Sequence, residues 1–161
     1  MRKGQSSQIN EIVERVNRNK TGIFKRDSEL IVILPDTIAE VIGSYHIYIS
    51  EFIIAKVKGK IKVYKGHPKI TDEVLYKIPK NLSDPNEILK DIRKEEKREY
   101  LFINVDPLHQ IVVEVERKPS GLSEINTIFD SDFNELKRLE GKLPTVYSSG
   151  DTPISRMHAS Q

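Results

Sequence analysis

Apolar side chains recur along this chain at two spacings, and the switch between them sketches the elements. Ile9, Ile12, Val13 and Val16 fall three and four residues apart, so Gln8 to Asn17 is predicted to be an amphipathic helix ended by Asn19-Lys20-Thr21-Gly22. Glu29 to Leu34 is an apolar run of strand length. Pro35 suits the first position of a helical turn through Val41, which Gly43 closes. Tyr45 to Ile49 reads as a strand. Phe52 to Lys58 and Lys60 to Tyr64 read as two more, joined by a hairpin turn at Lys58-Gly59-Lys60.

After the break Gly66-His67-Pro68, Thr71 is placed to cap a helix carrying Val74, Leu75 and Ile78. Ser83 or Asp84, with Pro85 behind it, is expected to open another helix containing Ile88, Leu89 and Ile92. Three strands follow in quick succession: Tyr100 to Val105, Gln110 to Arg117 and Glu124 to Phe129. Their short connections, residues 106–109 and 119–121, imply an antiparallel meander. Asp132 to Glu140 is predicted to be a last helix with Phe133, Leu136 and Leu139 on one face and Gly141 as its stop.

The predicted fold class is therefore α+β: a four-stranded antiparallel meander packed by a few short helices, with an N-terminal helical extension. Residues 1–43 are assigned to that extension, 44–143 to the α+β domain and 144–161 to a flexible polar tail.

Composition narrows the chemistry. Among 161 residues, 37% are hydrophobic and 31% charged, with no cysteine. Disulfides, thiolate metal sites and a cysteine nucleophile are thereby excluded. The longest apolar runs are too short to span a membrane, and Met1 to Ser7 is polar, without a signal-type apolar core. A cytoplasmic location, with no membrane contact, is expected. Net charge is only +2, but Lys56, Lys58, Lys60, Lys62, Lys65 and Lys69 come without an intervening acid. That run suits either a solubilised edge strand or a phosphate-facing stripe.

His67 lies between this run and the Thr71 cap. Its environment fits either a solvated loop histidine or a general acid–base group. The four histidines have no ligand-like spacing, so no zinc site is expected, and the leading reading needs no metal and no cofactor. A second constellation is Asp106 with Glu114, Glu116 and Lys118. The last three alternate onto one strand face. This matches either ordinary exposed strand residues or the carboxylates and lysine of a magnesium-dependent PD-(D/E)xK nuclease, although the chain reads Asp106-Pro107 and not Pro-Asp.

The order of these parts, Ile47-Tyr48-Ile49, Gly66-His67-Pro68, Ile78-Pro79, Leu82-Ser83-Asp84-Pro85-Asn86-Glu87-Ile88, then Ile125-Asn126-Thr127-Ile128-Phe129, resembles the phage-associated nuclease domains of the barnase–EndoU–colicin–RelE group. The resemblance covers about residues 45 to 143. It implies a metal-independent endoribonuclease, a toxin-like or phage effector, that cleaves RNA by attack of the 2′-hydroxyl. His67 would be the general acid or base, Thr127 would contact the scissile phosphate, and Lys65 or Lys118 would steady its charge. Lys56, Lys58, Lys60, Lys62 and Lys69 would bind the nucleic acid. RNA, an inhibitor and a phage structural protein are the implied partners. Gly66 stands where the group has a basic residue before the histidine, with Lys65 one place further back. Two other readings remain open: a non-catalytic nucleic-acid-binding or virion-associated module, and the metal-dependent nuclease.

Overall fold

A computed structural model describes residues 2–61, 69–93, 98–106 and 108–149, with side chains from residue 8 onward. In chain order the elements are α1 (Arg2–Arg18), β1 (Glu29–Ile33), α2 (Asp36–Ile42), β2 (His46–Ile49), α3 (Glu51–Val57), α4 (Asp72–Tyr76), α5 (Ile78–Ser83), β3 (Glu87–Lys90), β4 (Arg98–Val105), β5 (Gln110–Arg117), β6 (Ser123–Asp130), α6 (Phe133–Lys142) and β7 (Thr145–Ser148).

The class is α+β, but the sheet is not a four-stranded antiparallel meander. It has seven strands in the order β1-β2-β6-β5-β4-β3-β7, and it is mixed, because β2 runs parallel to β6. Every other neighbouring pair is antiparallel. Two strands went unforeseen. β3 was expected to be a helix, but Glu87 to Leu89 are all buried and pair with β4 on one side and β7 on the other. Ile92, which a helix would have buried, is 51% exposed. β7 lies in the segment expected to be a loose tail.

The first arm of the predicted hairpin, from Phe52, is helical, and most of the second, residues 62–64, lies outside the described residues. Ser50 caps α3 by accepting from the Ile53 amide, and Ile54, Ala55 and Val57 turn inward. Its C-terminal turn depends on Gly59, whose φ of 78° is in the left-handed region, with the Lys69 side chain lying against it. Gly59→Ala should cost about 1–2 kcal/mol through backbone strain, read as a lower denaturant midpoint with unchanged slope.

Strand alternation sends side chains to two cores. On one face, α1 packs on β1, α3, α4 and α5. The predicted helix stripe Ile9, Ile12, Val13 and Val16 is fully buried there, joined by Ile54, Leu75, Ile78, Leu82, Phe102, Val113 and Val115. Arg15 ties this layer together through ion pairs with Glu29 of β1 and Glu51 of α3. On the other face, α6 seats Leu136, Leu139 and the following Leu143 on Leu89, Leu101, Ile103 and Val112. α2, which joins β1 to β2 at one edge, also contacts β7 at the other edge, so the sheet is curled.

Candidate functional site

The candidate site is built by alternation on β4 and β5. In β5, Val113 and Val115 enter the larger core while Val112 faces α6. Glu114, Glu116 and Lys118 therefore continue the Val112 face, beyond the residues on which α6 packs. Glu99 of β4 shares that face with Leu101 and lies opposite Glu116, which in turn lies opposite Glu124 of β6. Thr127 lies opposite Glu114. Between those pairings β6 carries one extra residue, Asn126. A bulge of this kind re-aims a side chain, and here it turns the Asn126 amide onto the β5 carboxylates.

The resulting network is tight. Lys118 Nζ donates to Glu116 Oε1 at 2.9 Å and to Asn126 Oδ1 at 2.6 Å. Asn126 Nδ2 donates to Glu116 Oε1 at 2.7 Å and reaches Glu114 Oε1 at 3.4 Å. Glu116 is 5% exposed, whereas Glu114, Lys118 and Thr127 are half-buried and reach solvent. Lys56 arrives from α3 and donates to the Asn126 carbonyl at 2.6 Å. Burial lowers the Lys56 pKa from its ordinary value; the Glu114 charge opposes the shift and the Lys118 charge adds to it. Arg93 grips buried Asp91 through Nε and Nη2 at 2.9 and 2.8 Å. That bond raises the Arg93 pKa, with smaller contributions from the charges of Glu114 and Glu99.

Thus Thr127, Lys118, Glu114, Glu116 and Lys56 converge on one face. Asp106 does not join them. It sits in the β4–β5 turn, seven strand positions from Glu116 and about 20 Å away. There its carboxylate accepts from the Leu108 and His109 amides. The Asp106, Glu114 and Glu116 grouping of the metal-dependent reading is thereby broken. Among the described residues no His, Asp or Glu cluster is arranged to hold a metal ion.

His67, Lys62 and Lys65 lie outside the described residues. Of the rest of the lysine run, Lys56 is bonded to Asn126 and Lys58 is ion-paired with Asp72, while Lys60 and Lys69 are exposed. His46, the first residue of β2, is exposed.

No protein-family model, curated protein or solved structure matches this chain. Among the described residues no helix is long and apolar enough to cross a membrane.

Sequence reasoning missed Glu99 and the role of Asn126. Glu99 closes the charged stretch from Arg93, which hides its place on a strand. Its signal was the alternation Glu99, Leu101, Ile103. The role of Asn126 depends on a bulge, for which the sequence carries no local mark.

Proposed function

We propose that this chain is a metal-independent ribonuclease-like domain whose chemistry occurs on the β5–β6 face around Glu114 and Lys118. The supporting observation is an ammonium, Lys118, fixed by Glu116 and Asn126 beside the more accessible carboxylate of Glu114. A carboxylate that reaches solvent next to an oriented cation suits in-line attack by a 2′-hydroxyl. Glu114 takes the 2′-hydroxyl proton as the bond from O2′ to phosphorus forms. Lys118 stabilises the charge that builds on the phosphoryl oxygens, and the Thr127 hydroxyl donates to one of them. The bond from phosphorus to O5′ breaks, leaving a 2′,3′-cyclic phosphate, and O5′ takes a proton. The resemblance makes His67 the general acid or base, and with Glu114 as the base His67 is assigned the donor role. Glu116 acts through Lys118 and Asn126 as a positioning residue.

The test is cleavage of labelled single-stranded RNA with and without chelator. Activity that survives chelator, yields cyclic phosphate ends and falls in His67→Ala supports the reading, with Asp106→Asn cutting at the wild-type rate. Chelator-sensitive cleavage lost in Asp106→Asn would restore the metal-dependent alternative.

A further inference from the structure

In the sequence Lys56 opens a run of lysines suited to nucleic acid. In the fold its ammonium is committed within the protein: the side chain is half-buried, and Nζ donates to the Asn126 carbonyl at 2.6 Å. That carbonyl belongs to the extra residue of the β6 bulge. A bulged residue drops out of the strand ladder, so its backbone polar groups need partners from outside the sheet.

The partner comes from a rigid element. Ser50 caps α3, Ile54, Ala55 and Val57 anchor it in the larger core, and the helix packs on β6. The base of the Lys56 side chain is thereby fixed. Asn126 is in turn held at two ends. Its backbone meets Lys56, and its side-chain amide joins Glu116 at 2.7 Å to Lys118 at 2.6 Å. A shift of the bulge would draw Oδ1 away from Lys118 Nζ and loosen the orientation of that ammonium.

We infer that Lys56 is a positioning residue for this site: it pins the β6 bulge so that Asn126 keeps Lys118 oriented, and it makes no contact with RNA. Its effect on turnover rests on the ribonuclease reading; its effect on Asn126 does not.

Variants of the full chain test this. Lys56→Met keeps the apolar stem and loses the donor, and Lys56→Arg keeps a donor of similar reach. Lys56→Gln, too short to reach the carbonyl, serves where Lys56→Met does not fold. In cleavage of single-stranded RNA, Lys56→Met should lower kcat by about 10–100-fold, as expected for a displaced catalytic group, with KM and the salt dependence of binding unchanged. Lys56→Arg should stay within about threefold of wild type, since either cation can donate to one carbonyl. By nuclear magnetic resonance, the Asn126 side-chain amide protons should exchange with solvent about tenfold faster in Lys56→Met than in wild type or Lys56→Arg, with the backbone amides of α1 and α6 unchanged. A lysine bound to phosphate would behave otherwise: Lys56→Met would raise KM and reduce the salt slope by about one, with kcat kept, and that result overturns the inference. So does unchanged Asn126 exchange in Lys56→Met, or a loss in Lys56→Arg as deep as in Lys56→Met. If the wild-type protein leaves RNA uncut, the ribonuclease reading falls, and Asn126 exchange decides the role of Lys56 by itself.

Discussion

Glu114→Gln is expected to lower RNA cleavage by about 10²–10⁴-fold, the usual contribution of a positioned general base. The substitution keeps the shape of the side chain and removes its ability to take a proton. The fold should be indifferent to it, because Glu114 is half-buried and its described hydrogen-bond contact, from Asn126, is long at 3.4 Å. Lys118→Ala should lose about 10²–10³-fold, comparable to removing one donor from a preorganised anion site. Lys118→Arg should recover little, because Glu116 and Asn126 hold a compact ammonium at 2.9 and 2.6 Å. Single-turnover cleavage in the presence of chelator measures these losses, with thermal unfolding followed in parallel. If Glu114→Gln and Lys118→Ala both cut at the wild-type rate, chemistry does not occur on this face.

The second large effect concerns stability. Glu87 of β3 is 1% exposed, and neither of its carboxylate oxygens meets a protein donor. Its neighbour is another carboxyl group, Glu140 of α6. Burial first, and then Glu140, push the Glu87 pKa up to about 9. A hydrogen bond between the two carboxyl groups exists only when one of them carries a proton. The folded state therefore holds a proton that the unfolded chain, with a glutamate pKa of about 4.3, releases. Between about pH 4.3 and the folded value near 9, the native state binds more protons, so stability falls as pH rises. At pH 7 the loss amounts to roughly 4 kcal/mol at about 1.4 kcal/mol per unit. Glu87→Gln cannot ionise, and its amide can donate to Glu140. It should raise the unfolding free energy by about 2 kcal/mol near pH 8 and flatten the slope between about pH 5 and 8. Denaturant unfolding at those two pH values decides the matter. A wild-type slope retained in the variant would assign the pH dependence to other groups.

Both predictions rest on residues whose type was visible in the sequence and whose neighbours were not. Glu114, Glu116 and Lys118 could be placed on one strand face because side-chain alternation is a local property of extended backbone. What stands opposite them is set by register. Glu99 and Thr127 reach the site because β4 and β6 flank β5 in one alignment, and Asn126 reaches it because β6 bulges. Asp106 is close to this group in the chain and about 20 Å from Glu116 in space, because the β4–β5 hairpin turns away at that point.

The elements divide in the same manner. Periodicity sufficed for α1, α6 and the strands β4, β5 and β6, where eight or more residues repeat one pattern. It failed for two short apolar runs, although it placed β1 and β2. Phe52 to Ala55 suits a strand as well as a helix, and the Ser50 cap with burial of Ile54 and Ala55 decided for helix. Ile88, Leu89 and Ile92 suit a helix face equally well, and pairing with both β4 and β7 decided for strand.

By itself, then, the sequence determined an α+β protein without cysteine chemistry and with a face of carboxylates and lysine on one strand, since each follows from composition or local alternation. Tertiary structure alone decided that the sheet has seven strands with a parallel join, and that Lys118 meets Asn126 across strands. It also decided that Glu87 is enclosed beside Glu140. These features depend on long-range pairing and burial, which are fixed by packing of distant segments and leave no mark in any short window of the chain.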